Sequence, residues 1–279
     1  MDSMATLERK IGEGSFSFVG FKKPKTPQEI VEYFKHLYAY KYVSRFAENK
    51  LVLDVGCGVG YGADELSNKA YLVIGIDIWK EGIRYAHNKY SRSHFLVASA
   101  LNLPFRDSCF DVVTSFQVIE HIEEKNVIRY LQEIKRVLKY GGIFIVSTPN
   151  RKLRLLPFQK PWNPEHRKEY DAKEFNRVLK MVFKKSEVFG LFATEKAYLI
   201  EYYRVKQNPL SVYIFNPLFC IMRRFIPDFF LQMMKIIASK TSKSKMNINN
   251  MMKQISIKDF KLSSENLDSC LDLYGICKK

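Results

Sequence analysis

The strongest constraint on the fold of this 279-residue chain is an apolar segment that runs directly into a series of glycines. Residues 52–55 are followed by Gly56, Gly58, Gly60 and Gly62, and a helical pattern begins within this series. Glycines let the backbone turn tightly and approach a ligand, while the start of a helix presents unpaired N–H groups. The pattern predicts a strand, a ligand-binding turn and a helix, as in the first unit of a doubly wound α/β fold.

Short apolar runs separated by turn signals continue along the chain. Helical patterns lie between the first five runs, so we expect βαβ units and a mostly parallel sheet. Uniformly apolar strands indicate helices on both faces. The fold class predicted is a Rossmann-like α/β sheet of seven strands. The predicted strands are Leu51–Val55, Leu72–Ile76, Phe95–Ala98, Val112–Ser115, Ile143–Ser147, Glu187–Ala193 and Cys270–Cys277. The predicted helices are Tyr61–Ser67, Lys80–Tyr90, Lys125–Leu138 ending at Gly141-Gly142, and Ala172–Phe183, preceded by one that Thr26 caps.

An acidic residue at the end of the second strand indicates which cofactor the turn binds. Asp77 follows Gly56 by 21 residues, where a carboxylate can accept hydrogen bonds from both ribose hydroxyls of an adenosine. A nicotinamide site would require a glycine where Tyr61 stands. Asp54 would repel a pyrophosphate but suits the ammonium group of a sulfonium cofactor. The spacing therefore favours a methyl donor over a dinucleotide.

These residues carry a family resemblance. Residues 52–62 closely resemble the first motif of class I S-adenosylmethionine-dependent methyltransferases, and residues 73–77 the second. Residues 103–113, 118–122 and 136–142 are similar to later segments of the same family, so the resemblance covers roughly residues 30–195. It points to the type 11, quinone-methyltransferase-like branch and, more loosely, to members of glycan synthesis. The implied cofactor is S-adenosyl-L-methionine, with S-adenosyl-L-homocysteine as product.

The resemblance also implies cofactor contacts. Asp54 and the backbone of Gly56–Gly60 would hold the methionine portion, Asp77 the ribose, and Ile78 the adenine. Many relatives have Asp where Ser99 stands, and a serine accepts a hydrogen bond without charge assistance. Gln117 would lie near the sulfonium. The predicted cofactor-binding residues are Asp54, Gly56, Gly58, Gly60, Asp77, Ile78, Ser99, Ala100 and Gln117.

Histidines are the candidates for removing a proton from a hydroxyl acceptor. His121, after the fourth strand, and His166, in a charged segment after the fifth, are the predicted catalytic residues. His36 on the N-terminal helix is a third candidate. The alternatives are that Glu120 and His121 brace a helix and that His166 orders a loop. Neither the histidines nor the cysteines show metal-ligand spacing, so no metal site is predicted.

The acceptor is predicted from the resemblance and the charge. The looser similarity to glycan-synthesis enzymes suggests O-methylation of a sugar hydroxyl, on a small molecule or a lipid- or nucleotide-linked carrier. A quinone or lipid-like ring is the alternative. Residues 151–279 hold 25 Lys and Arg against 12 Asp and Glu, which suits an anionic partner. Nucleic-acid binding or methylation is an alternative of another class, but Ser115-Phe116-Gln117-Val118 lacks the Asn-Pro-Pro-Tyr pattern of a base-binding site.

Four regions are predicted along the chain: a lead-in and lid helix (1–48), the cofactor-binding core (49–198), a basic, apolar-rich helical insertion between the last two strands (199–265), and a final strand (266–279). Residues 217–226 and 229–237 are apolar and edged by Lys or Arg, so the insertion either caps the core or contacts an anionic membrane surface through residues 215–240. Five cysteines without a C-x-x-C pair, and the absence of a secretory signal, suggest a cytoplasmic protein, with the inner membrane face as a peripheral location.

Overall fold

An eight-stranded sheet carries the fold in a computed structural model that describes Pro24 and residues 26–155, 159–161, 163–206 and 255–279. The strands are β1 (Leu51–Val55), β2 (Leu72–Asp77), β3 (His94–Val97), β4 (Phe110–Phe116), β5 (Leu138–Pro149), β6 (Lys185–Ala193), β7 (Phe260–Ser263) and β8 (Asp272–Lys278). Their order across the sheet is β3-β2-β1-β4-β5-β8-β6-β7. The first five pair in parallel, and β8 enters antiparallel between β5 and β6.

Helices cover both faces of the sheet, as the sequence predicts. They are α1 (Pro27–Val43), α2 (Tyr61–Leu66), α3 (Lys80–Lys89), α4 (Val127–Val137), α5 (Arg151–Arg154), α6 (Ala172–Val182) and α7 (Glu195–Lys206). One apolar core lies under α1, α2 and α3, and a second lies under α4 and α6. The predicted start of α1 is confirmed, because the side chains of Thr26 and Glu29 each accept a hydrogen bond from the other's backbone N–H.

The sheet has eight strands rather than the seven predicted. The additional strand, β7, pairs antiparallel with the end of β6 and extends the sheet at its edge. It is only four residues long and lies within the predicted insertion, so no long alternating pattern marks it in the sequence. Helix α7 begins in the predicted core and runs into the first residues of the predicted insertion, while residues 207–254, which include 215–240, lie outside the described residues.

Helix α4 ends earlier than predicted. Leu138 adopts an extended backbone conformation and pairs with Phe110 in the sheet, so Gly141 and Gly142 lie within β5 instead of closing the helix. Gly141 has a φ of 76° and supplies a turn inside that strand. None of the helices in the described part of the chain has the length and hydrophobicity that crossing a membrane requires.

Candidate active site

The glycine turn between β1 and α2 borders a cavity of about 720 Å³. Gly56, Gly58 and Gly60 have φ values of 80°, 55° and 81°, in the left-handed region that favours glycine. A Cβ at Gly60 would lie 2.6 Å from Ala86, so this glycine allows the turn to pack on α3. A Cβ at Gly58 would meet open space. Gly56 and Gly58 line the cavity, whereas Gly60 is not among the described residues that line it.

Asp77 joins the end of β2 to the glycine turn. Its Oδ2 accepts a hydrogen bond from the backbone N–H of Gly58 at 2.8 Å, and its Oδ1 accepts one from Trp79 at 2.9 Å. Burial raises the pKa of Asp77, and these backbone donors oppose the rise. The carboxylate lines the cavity and retains lone pairs for further donors.

Asp54 lies under the turn. Its side chain is fully buried and accepts hydrogen bonds from the Tyr40 hydroxyl at 3.1 Å and the Thr114 hydroxyl at 2.9 Å. Burial raises its pKa to about 6, against the lowering effect of those two donors. Asp54 is not among the described residues that line the cavity, although the sequence predicts it to contact the cofactor.

The remaining predicted cofactor residues lie along the same cavity. Ile78 is 72% exposed, which is unusual for a large apolar side chain and leaves it free to pack on a ligand. Ser99 and Ala100 line the wall, and the Ser99 hydroxyl accepts a hydrogen bond from Leu101 N at 3.2 Å. Gln117 has a φ of 56° and donates a side-chain hydrogen bond to Ser147. The structure therefore brings all of them to one cavity except Asp54 and Gly60.

A second polar group borders the same cavity, and we call it the acceptor-side cluster: Glu120, His121, Arg154 and His166 line the cavity, and Glu169 pairs with Arg154 and His166. The rings of His121 and His166 meet edge to face, with centroids 4.8 Å apart. Both predicted catalytic histidines thus come together, although they lie on different segments. His36 also lines the cavity and is paired with Glu32 at 3.1 Å.

Two carboxylates of the cluster are fully buried. Glu120 accepts a hydrogen bond from the Thr148 hydroxyl through Oε2 at 3.0 Å, and its Oε1 has no hydrogen-bond partner among the described residues. Glu169 lies 2.8 Å from His166 Nδ1 and 3.4 Å from Arg154 Nε. The sequence analysis gives no functional role to Glu169 or Arg154. Only their shared burial next to His166 reveals them, since neither belongs to a recognisable motif.

Burial also changes the pKa values of two members of this cluster, Glu120 and His121. It raises the pKa of Glu120 to about 8, with the nearby carboxylates Asp272 and Glu169 adding to the rise. The pKa of His121 falls to about 4, first because the surrounding atoms desolvate the ring and then because His166 lies beside it.

Comparison with known proteins identifies the kind of domain that carries this cavity. A family described as a methyltransferase domain matches residues 53–146. These residues form a class I methyltransferase domain. It includes the glycine turn, Asp77 and the two residues that begin the acceptor-side cluster, Glu120 and His121. The family implies S-adenosyl-L-methionine as the cofactor, and the site fits it: Gly58 faces open space, and Asp77 lies in the cavity with acceptor capacity remaining.

The methyltransferase domain also has individual relatives. A protein of Mycolicibacterium smegmatis, described as a probable S-adenosylmethionine-dependent methyltransferase, is 34% identical over 170 residues, covering 61% of this chain and 65% of the relative. The ubiquinone biosynthesis O-methyltransferase of Rickettsia typhi is 36% identical over 104 residues, covering 36% of this chain and 41% of the relative. This chain therefore spans less than two thirds of the length of either relative.

A solved structure shows the same fold. The S-adenosylmethionine-dependent methyltransferase from Thermotoga maritima aligns with a TM-score of 0.54 over 90% of this chain and 92% of its own. Its sequence identity is 16%, so the likeness concerns the fold of the methyltransferase domain and not its acceptor.

Proposed function

We propose that this protein transfers the methyl group of S-adenosyl-L-methionine to a hydroxyl of a polyhydroxylated acceptor, such as a free or carrier-linked sugar. The observation that carries the proposal is one cavity that joins the glycine turn and Asp77 to the acceptor-side cluster. Methyl transfer depends mainly on alignment of donor and acceptor, and a shared cavity provides it.

The donor side follows from the chain's own residues. The backbone around Gly56 and Gly58 would hold the methionine portion, Asp77 would accept from the ribose hydroxyls, and Ile78 would pack on the adenine. Bound there, S-adenosyl-L-methionine supplies an electrophilic methyl group on a sulfonium. Asp54 is fully buried, does not line the cavity and accepts hydrogen bonds from Tyr40 and Thr114, so we assign it to bracing the turn. Glu32 on α1 pairs with Lys35 and His36 but does line the cavity, and it is the acid we assign to the ammonium group.

Polar atoms without hydrogen bonds support a hydroxylated acceptor. Glu120 and Arg154 both line the cavity, and Glu120 Oε1 is buried without a hydrogen-bond partner among the described residues. Arg154 Nε forms an ion pair with Glu169 at 3.4 Å but no hydrogen bond in the same part of the chain. Leaving such an atom unpaired costs about 1–3 kcal/mol, and a ligand that hydrogen-bonds it removes that cost. A polyhydroxylated ligand does this better than an apolar ring. The residues offer two routes for the hydroxyl proton: a histidine base, or coordination of the hydroxyl to a bound cation.

A quinol or other lipid-like ring is the second candidate acceptor. Phe116, Val118 and Ile122 give the cavity an apolar wall, and the Rickettsia typhi relative is named for ubiquinone biosynthesis. The charge of residues 151–279 suits an anionic carrier for either acceptor.

Donor binding is tested by calorimetry with S-adenosyl-L-methionine and S-adenosyl-L-homocysteine. We expect binding to the wild-type chain, at least tenfold weaker binding by Asp77→Asn, and unchanged binding by Asp64→Asn, which alters an acid on α2.

The acceptor is tested by incubating the protein and labelled methyl donor with oligosaccharides, nucleotide sugars, quinols and RNA. Methyl label in the sugars would support the proposal. Label in quinols or RNA would show that the acceptor belongs to that class instead. No binding of either donor compound would overturn the proposal.

A further inference from the structure

Three side chains of the acceptor-side cluster have the composition of a metal site. Glu120 and His121 are neighbours in a 3-10 turn after β4, and His166 comes from the segment after α5. One carboxylate oxygen and one nitrogen from each histidine lie within 4.8 Å of one another. Carboxylate and imidazole together are a common ligand set for divalent transition metals.

The carboxylate of Glu120 provides a second, independent observation. Its side chain is fully buried, the residue lines the cavity, and Oε1 has no hydrogen-bond partner in the described part of the chain. A buried carboxylate oxygen without a partner is costly, and a bound cation would remove that cost. Thr148 holds the other oxygen, Oε2, at 3.0 Å and so limits how the carboxylate can turn.

The surroundings of His166 match those of a metal ligand. Its Nδ1 lies 2.8 Å from the buried carboxylate of Glu169, which leaves Nε2 as the ring nitrogen available to a ligand. Metal-binding histidines commonly donate their second ring N–H to a carboxylate, which fixes the tautomer and the ring orientation. Arg154, which also lines the cavity, is paired with Glu169 at 3.4 Å.

The distances allow a site with small movements. Ligand atoms around a cation bound at about 2.1 Å are about 3.4 Å apart in tetrahedral geometry. Atoms within 4.8 Å of one another therefore need to approach by up to about 1.4 Å. His121 is exposed and can make most of that movement by rotating its side chain.

We propose that Glu120, His121 and His166 bind one divalent transition-metal cation, such as Mn²⁺, Co²⁺ or Zn²⁺, on the acceptor side of the cavity. Three protein ligands leave positions open, as in catalytic metal sites. If the proposed function holds, on which this step rests, the open positions of the cation select an acceptor that carries two adjacent oxygens, such as a vicinal diol or a catechol. A hydroxyl bound to the cation loses its proton to solvent more readily. The sequence predicts no metal site, because His166 joins the other two residues only in the folded chain.

The test is metal binding by chelator-treated protein. MnCl₂, CoCl₂ and ZnCl₂ are each titrated by calorimetry, and Co²⁺ binding is followed by its visible absorption. We expect one ion per chain. Binding should weaken at least tenfold in Glu120→Gln, His121→Ala and His166→Gln, and about 10–100-fold in Glu169→Gln, which only orients His166. His87→Ala removes an exposed histidine of α3 and should bind the metal normally.

Folding and donor binding are measured on every variant by thermal melting and by calorimetry with S-adenosyl-L-homocysteine. Failure of the wild-type chain to bind any of the three ions, or unchanged binding by the folded His121→Ala and Glu169→Gln variants, would overturn the metal site alone. Metal binding without donor binding would instead leave the site standing and overturn the proposed function.

Discussion

The hydroxyl of Tyr40 donates a hydrogen bond to Asp54 Oδ2 across 3.1 Å, beneath the glycine turn. This bond joins α1 to the strand that leads into the turn. Gly62 makes room for it, because a Cβ there would lie 1.9 Å from Tyr40 Cζ. The N-terminal helix is thus fixed against the donor side of the cavity through a buried polar pair.

Tyr40→Phe should destabilise the fold. Removing the hydroxyl leaves Asp54 Oδ2 buried without that donor, which we expect to lower the free energy of unfolding by about 1–3 kcal/mol. Urea unfolding measures the change. Tyr42→Phe is the matched control on the same helix, since no hydrogen bond of its hydroxyl is observed in the described residues, and it should change stability little. Equal losses in both variants would contradict a specific role for the Tyr40 bond.

Asp54→Asn should remove a pH dependence of stability. Burial raises the folded-state pKa of Asp54 to about 6, above the value of about 3.9 expected in the unfolded chain. The folded state therefore binds this proton more tightly, and the free energy of unfolding falls as pH rises from about 4 to about 6. Two pKa units correspond to about 3 kcal/mol.

Urea unfolding at pH 4.5 and pH 7 would measure this slope. Wild-type stability should fall between the two pH values more than that of Asp54→Asn, because the amide carries no titrating proton. A variant that keeps the wild-type difference would show that other groups cause it.

Gly58→Ala should lower the affinity for the donor by more than its small effect on the free energy of unfolding would explain. A Cβ there enters the open space of the cavity, and a φ of 55° adds strain of about 1–2 kcal/mol. Gly141→Ala is the control, since its φ of 76° brings similar strain and its Cβ also meets nothing within 4 Å, but it does not line the cavity. Calorimetry with S-adenosyl-L-homocysteine should show loss of affinity in Gly58→Ala alone. Similar affinities in the two variants would place the donor elsewhere.

Lys35→Met should be among the most destabilising single changes on α1. The Lys35 ammonium is only 3% exposed and lies 3.1 Å from Asp272 and 3.2 Å from Glu32. Removing it leaves the buried Asp272 carboxylate uncompensated, which costs about 3–5 kcal/mol. Lys41 lies on the same helix as Lys35 and forms an exposed pair with Glu65 of α2. Lys41→Met breaks that pair and should cost about 0–1 kcal/mol. Thermal and urea unfolding compare the two, and a small loss in Lys35→Met would indicate that the site relaxes or admits water.

The local elements of the fold could be predicted because their causes lie within a few residues. The start of α1 at Thr26 and the bounds of β1 follow from capping and apolar patterns, and both are observed. The turn at Gly56 and the carboxylate at Asp77 follow from a motif whose spacing is short. Strand β7 could not be predicted this way, because its four residues gain their stability from pairing with β6.

The sequence by itself determined the α/β core, the glycine turn and the acid at the end of β2, since backbone propensity and hydrophobic period act over short stretches of chain. Only the tertiary structure decided that Asp54 faces Tyr40, that Lys35 meets Asp272, and that His166 lies against His121 with Glu169 behind it. Each of these pairs except His166 and Glu169 joins segments far apart in the chain. Such contacts, and the burial that changes the pKa values of Glu120 and Asp54, arise from packing, which no local pattern records.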